Sequence, residues 1–450
     1  TETGTLAANM EVMLASDIGS PTLSFDMKGN SYTAEGSMPT VTASRDSNAY
    51  SQYAQSSGAH ATGRALDVIA GKARGDMQDL LAALDWSAPD GSGIADGLKQ
   101  LGPGAYDAVA RASLAQQNEF NLLILRRLMA TMTRRARAAQ TLQEGTAAPA
   151  GIRDAELDKT REAGTWQFWA TPYGAGSFQG SHNGRSSWKS TGVGLLVGAD
   201  RHLDSGLDLG FHVALAARRT HVQDSEEAQA DTKSAFVGLQ ALLAPDSWNG
   251  FYLTGQGRIG IESGEMDRDI HINGYNRQSK SRWSGVAGSL QAGLGWDAHL
   301  DTEAGFVTMG PLAFFEYAFL HRPSLEENEG GAARLDVDDT LYDSLLMNLG
   351  VHAGWQTDLA NGTTLGLDVL AAWRHELLDS NFSTTASFRD YGAHDFSSDS
   401  NLPGRDSLLV QSGLTLATVS DFSAQLEIGG EFFREGYTAM NLGLNLTWQF

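Results

Sequence analysis

The chain contains no cysteine and only 10 prolines in 450 residues. Without cysteine there are no disulfides and no thiol chemistry, which suits a polypeptide that stays unfolded while crossing an oxidising compartment. No run approaches the ~18 consecutive apolar residues of a membrane helix, and the mean hydropathy is -0.26. A transmembrane helix is therefore excluded, whereas a closed barrel, the other structure that satisfies its backbone in lipid, is not. Positive charge is also scarce, with 32 basic against 54 acidic residues and a net charge of -22. That balance excludes a nucleic-acid partner, because phosphate binding needs a basic face. Thr1 is not an initiator methionine and no signal peptide is visible, so the chain reads as a processed or truncated product. What is abundant is glycine, at 51 residues.

The last eleven residues carry the clearest pattern. Met440, Leu442, Leu444, Leu446, Trp448 and Phe450 fall on one parity; Asn441, Gly443, Asn445, Thr447 and Gln449 fall on the other. Strand side chains alternate faces with period two, so one face is wholly apolar and the other polar or small. A soluble sandwich could use one such face, but the pattern here runs to a terminal aromatic residue, as in bacterial outer-membrane barrels.

Upstream, residues 1–58 hold short alternating runs broken by Gly-containing pairs and read as β-rich, as parallel β-helix rungs or part of a sandwich. Apolar residues then recur at three and four from Ala65 to Leu84, which predicts helices. A further helix is expected from Tyr106 to about Leu142, after the break at Gly102-Pro103-Gly104. It carries Arg126, Arg127, Arg134, Arg135 and Arg137 and, from Phe120 to Gln143, no acidic residue. At 100° per residue, Arg126, Arg127, Arg134 and Arg137 lie within about 100° of one another and Arg135 stands apart. Such a basic face also fits a helix lying on a membrane surface or a solvated face. Residues 59–143 are thus helical, 144–164 a polar linker, and 165–450 β-structure.

That last region has twelve candidate strands, centred on Phe168, Leu195, Leu209, Leu239, Leu253, Leu294, Ala313, Leu349, Val369, Leu414, Leu426 and Leu444. Their non-apolar parity is filled by Gly, amides and carboxylates. Glycine weakens a strand, so its repetition calls for something packed closely against it, such as another backbone in a lumen. Short connections near Ser205, Ser247, Thr302, Asn361 and Ser420 alternate with longer ones over roughly 176–188, 218–232, 262–282, 321–341 and 377–404. Outer-membrane barrels alternate in this way. About eight strands leave an interior that side chains fill and sixteen an open channel; twelve leave room near the ~10–12 Å a helix needs. Asp208, Asp297, Glu316, Asp368, Glu427 and Glu431 fall on the inward parity and are the expected acidic partners of the arginine helix. The fold class is therefore all-β, a 12-stranded antiparallel barrel with an N-terminal helix in its lumen.

With the junction Ala65-Leu-Asp67 and Leu98-Lys-Gln-Leu-Gly-Pro-Gly-Ala-Tyr106, the arginine helix and the ending Leu446-Thr-Trp-Gln-Phe450, the chain resembles the C-terminal part of a monomeric autotransporter, a type V secretion protein of Gram-negative bacteria. The resemblance covers nearly all of it. It implies an outer-membrane translocator associated with export of its own N-terminal passenger to the cell surface. Residues 1–58 would be the passenger's end, and Arg126, Arg127, Arg134 and Arg137 would sit on a helix that plugs the pore. Trp448 and Phe450 would belong to the signal read by the barrel-assembly machinery. The implied partners are outer-membrane lipid, that machinery, periplasmic chaperones and the passenger, with the barrel a monomer. Some relatives cleave the passenger inside the pore at an Asn-Asn pair. This pair is missing; Asn118 and Asn121 are isolated and read as ordinary helix surface residues.

No enzymatic function is expected. The eleven histidines are scattered, with no His-x-x-x-His pair on a predicted helix and no Gly-x-Ser-x-Gly elbow. His212 and His352 lie on the inward parity as packed or hydrated side chains, and neither a metal nor a cofactor is expected. The rival readings are an outer-membrane hydrolase and a non-secretory barrel, porin or adhesin, with an N-terminal domain.

Overall fold

Period-two alternation from Trp166 onward builds one closed sheet. The computed structural model describes residues 2–5, 20–28, 40–143, 164, 166–181, 186–203, 205–223, 227–359, 362–378, 382–398, 404–418 and 422–449. Three strands come first, β1 (Glu2–Thr5), β2 (Leu23–Lys28) and β3 (Thr40–Arg45), then four helices, α1 (Ser57–Ala70), α2 (Asp76–Asp85), α3 (Ser92–Leu101) and α4 (Gly104–Gln143). The first half of the barrel is β4 (Trp166–Gln179), β5 (Trp188–Leu203), β6 (Leu207–Val222), β7 (Glu227–Leu243), β8 (Phe251–Ile272) and β9 (Tyr275–Trp296), which β10 (Ala298–Thr302) continues. Next come β11 (Gly305–Arg322) and a long connection with the short strands β12 (Leu325–Glu326), β13 (Asn328–Glu329) and β14 (Leu335–Val337). The barrel resumes with β15 (Thr340–Asp358) and β16 (Thr364–Glu376), and a second long connection carries β17 (Thr385–Phe388) and β18 (Phe396–Ser397). It ends with β19 (Asp406–Ala417), β20 (Phe422–Arg434) and β21 (Tyr437–Gln449).

Each of the twelve expected strand centres falls inside one of these strands, and the sheet closes as a 12-stranded antiparallel barrel. Closure is made by β21 on β4, with Trp448 opposite Phe168 and Leu442 opposite Gly174. The apolar parity points outward: Val193, Leu195 and Val197 on β5, Leu209, Phe211, Val213 and Leu215 on β6, and Met440, Leu442 and Leu444 on β21 are all exposed. An apolar belt this continuous has to meet something other than water.

The inward glycines have a different neighbour from the one expected. A Cβ at Gly194 would collide with Tyr173, and one at Gly198, Gly238, Gly264 or Gly295 with Trp169, His212, Trp283 or Tyr252. Wall rings thus lie against glycines of adjacent strands, filling space that a backbone alone would leave open. Only at positions such as Gly354, Gly413 and Gly443 does a side chain of α4 come that close.

The expected long connection at 262–282 is not a loop. Strands β8 and β9 pair without interruption to Ile272 and Tyr275, and a two-residue Asn273-Gly274 turn with both φ values positive closes them. Asn-Gly is the pair that such a turn favours. The ladder continues because its inner face is still buried: Met266, Ile270, Ile272 and Tyr275 pack against the helical region. Similarly, β6 and β7 pair from Val222 and Ala228 down, so most of the connection expected over 218–232 is paired strand.

The described N-terminal strands exclude one of the two patterns expected for them. Order β1-β3-β2 is antiparallel throughout, so the described strands are not parallel β-helix rungs. Thr40, Thr42 and Ser44 alternating with Val41 and Ala43 define two faces but carry no sign of pairing direction. Helix α1 starts at an N-cap, Ser56, whose side chain accepts from the Ala59 N–H at 3.2 Å. Asp85 at the end of α2 is buried and accepts from Thr22 Oγ1 (2.6 Å), Tyr50 Oη (2.9 Å) and the Arg45 guanidinium, which ties the small sheet to the helices. The expected linker, 144–164, lies almost wholly outside the described residues.

Candidate functional site: the filled lumen

Helix α4 is 40 residues long, about 60 Å at 1.5 Å per residue. Its first turns lie at the end of the barrel with the long connections. There Tyr106 donates to Glu327 (3.0 Å), and Asp107 accepts from Thr384 (2.5 Å) and Ser398 (2.6 Å). Its last described side chains reach the opposite rim, where Arg135 meets Asp208 after one short turn and Arg137 meets Asp358 before another (2.6 Å). The helix therefore runs through the bore from end to end.

Its sequence is suited to an interior that is neither water nor oil. The middle of α4 buries Phe120, Leu123, Leu125, Leu128 and Met129 against Trp169, Tyr173, Phe236 and Phe314 of the wall. Phe120 meets Tyr173 and Phe236 edge-on with centroids 5.5 and 5.8 Å apart. Between these contacts polar groups pair individually: Ser113 with Glu262 (2.8 Å), Gln116 with Ser234 (2.7 Å) and Arg218 of the wall with Glu119 of the helix. Buried polar groups need such partners, because an unpaired one costs its full desolvation.

The five arginines radiate instead of forming one stripe. Arg126 donates to Asp368 (3.1 Å) and the Ser412 carbonyl (2.6 Å) on β16 and β19. Arg127 pairs with Asp200 on β5, on the far side of the wall, and stacks 4.7 Å over Trp169. Arg134 donates to Ser423 (3.2 Å), and Arg135, which helical phase set apart, finds its own carboxylate in Asp208. A guanidinium on a three-carbon stem reaches around a helix, so angular position on the axis does not limit which strand it meets.

The acidic residues divide. Asp208 and Asp368 hold helix arginines, but Glu316 and Glu431 are taken by Arg374 of the wall (Glu431 at 2.8 Å). Asp297 lies beside His352 (3.4 Å). Glu427 is fully buried, where the charges of Arg126, Asp368 and Arg127 all act on it. A basic helix in an acidic bore is thus half of the arrangement, since the wall contributes Arg218, Arg258 and Arg374 of its own. Asp200 and Arg374 were already on the inward parity of their strands, so the signal for both was present. Asp358, the last residue of β15, keeps the inward parity of His352 and Gln356.

Asn121 is not an ordinary surface residue. It is completely buried, its side chain accepts from Arg258 (2.5 Å) and Ser289 (3.1 Å), and its carbonyl accepts from Gln256 (2.8 Å). His212 is buried against Gln240 (2.6 Å). No group of three or more His, Asp or Glu placed to hold a metal occurs among the described residues. Trp448 faces outward with its ring 5.5 Å from Phe422, in an aromatic cluster at the short-turn rim with Trp166 and Phe168; Phe450 lies outside the described residues.

The family model described as the autotransporter beta-domain matches residues 168–429. Among solved structures the chain is similar to the translocator domain of NalP from Neisseria meningitidis, at 14% identity and TM-score 0.48, over 70% of this chain and 97% of that one. It is also similar to the beta domain of the Bordetella autotransporter BrkA (16%, TM-score 0.44, 63% and 98%) and to the transport unit of AIDA-I from Escherichia coli (11%, TM-score 0.44, 71% and 98%). No curated protein sequence matches it.

Proposed function

The chain belongs to the autotransporter beta-domain family, with more than half its length matched, and from that premise we propose that this outer-membrane barrel exports its own N-terminal passenger and afterwards holds α4 as a pore plug. One observation carries the reading. Strand β4 begins at the short-turn rim, yet the residues before α4 lie beyond the long-connection rim, and α4 joins the two through the bore. A chain that crosses the membrane once through its own barrel ends in this arrangement.

In this reading the short turns are periplasmic and the long connections external. Periplasmic chaperones keep the chain unfolded, and the barrel-assembly machinery takes up the last strand through Trp448 and Phe450. The luminal ion pairs seat the helix and perform no chemistry, so the barrel is not an enzyme, and it works as a monomer.

Two measurements test it. An epitope inserted before α1 should be labelled on intact cells, and deleting residues 105–143 should raise single-channel conductance in planar bilayers. An epitope reached only after the cells are opened would overturn export. Conductance unchanged by the deletion would overturn the plug and favour a non-secretory porin.

A further inference from the structure

We infer that the external end of the barrel is a docking surface whose occupant is this chain's own residues 57–101, and that helices α1–α3 acquire their fold only on it. The inference is independent of export, since it concerns what completes the helical core.

Begin with what the three helices lack. α2 and α3 have ten residues each and α1 has fourteen. Isolated helices shorter than ~12–15 residues are marginal in water, and modules of about 60 residues or fewer close only small cores. The apolar residues that the helices do bury, Leu80, Leu84, Ile94 and Leu98 among them, belong to one cluster with the barrel's Met266, Ile270, Ile272, Leu335, Val337 and Phe388. The β8–β9 hairpin and the two long connections supply about a third of that core, and with Trp188, Val222, Ala228, Ala230 and Tyr437 of other strands the barrel supplies about half. At Gly97 the approach is close enough that a Cβ would lie 2.8 Å from Leu84 Cδ2 and 3.1 Å from Ile272 Cδ1.

The helix ends point the same way. Terminal carbonyls have no intrahelical donor and need one from elsewhere. At the end of α2, the Ala83 and Trp86 carbonyls accept from Asn273 Nδ2 (3.3 and 2.6 Å), the side chain at the tip of the hairpin. Near the end of α3, the Gln100 carbonyl accepts from Arg268, and its side chain accepts from the His271 N–H (2.6 Å). In the first turn of α2, Asp76 accepts from Tyr275 (2.7 Å), the Ala332 N–H (2.6 Å) and Arg277. The barrel supplies both the apolar floor and caps for two of the helices.

The test uses the full chain in detergent or nanodiscs, with hydrogen exchange as readout and heat-modifiable migration as the check that the barrel is closed. Ile272→Asp and Phe388→Asp alter only the external surface. Amide protection across α1, α2 and α3 should fall together, by on the order of 100-fold or more, with the membrane strands unchanged. Helices that detach but keep their protection would overturn the proposal, because they would then be an autonomous domain. So would a loss confined to the amides touching the altered side chain. If either variant fails to close the barrel, Ile272→Ala and Phe388→Ala replace it, with a smaller loss that is uniform over the three helices expected and a patchy one overturning.

Discussion

Arg126 and Asp368 meet at 3.1 Å inside the bore, the arginine side chain 2% exposed and the aspartate 12%. A buried pair of this kind adds little net stability compared with an apolar pair, but removing one member strands the other. Arg126→Ala and Asp368→Ala should each destabilise the seated helix by about 3–5 kcal/mol, and the double variant should cost less than the sum. Additive costs in denaturant titrations of helix release would show that the two do not interact.

Reversing three charges tests the seating as a whole. Arg126→Glu, Arg127→Glu and Arg134→Glu together bring like charges to Asp368 and Asp200 in a region of low dielectric. The barrel should still form, with α4 newly open to protease and conductance raised. Protease resistance and conductance equal to the unaltered protein would count against the ion pairs as seating groups.

Acid should loosen the external cap through Asp76. Burial alone would raise this carboxyl, but hydrogen bonds from the Ala332 N–H, Tyr275 and Arg277 outweigh it and hold the group below the usual carboxylate range. A folded-state value below the unfolded one contributes stability that is complete above the unfolded value and is lost as pH falls through the folded one. Exchange protection of α2 should therefore drop in acid below the ordinary aspartate range, and Asp76→Asn should flatten that pH dependence. An identical acid profile in the variant would assign the loss to another group.

Deleting Phe450 should impair assembly and leave the finished barrel nearly as stable. The closing contact is already made by Trp448, Leu446 and Leu442 against β4. Fewer inserted molecules with an unchanged melting temperature in detergent is the expected result; a large fall in that temperature would make the residue structural.

The barrel was legible because its alternation is imposed by two different surroundings, and no helical or random pattern produces the same rows in Leu207–Leu215 or Met440–Phe450. Pattern was weaker wherever one face stops meeting lipid. On the β8–β9 hairpin the outward side chains become polar while Met266, Ile270 and Ile272 stay buried, so an external ladder read as a loop. The lumen was legible as polar and occupied, but not as a set of pairs. Which carboxylate Arg127 takes depends on side-chain reach and on strand positions around the circumference, and the inward parity of Asp200 marks it as luminal without naming its partner. The burial of Asn121 is of the same kind, set by Arg258 and Gln256 on a strand more than a hundred residues away.

Asp85 has a mechanical consequence. Because it gathers Thr22, Arg45 and Tyr50 at the end of α2, and Asn273 holds the same end of that helix, tension applied to the first strands has a route into the hairpin and the barrel wall. That route runs beside the one through α4, whose first turns share the same buried core, so a load from the exterior reaches the wall by two paths and not along the rod alone.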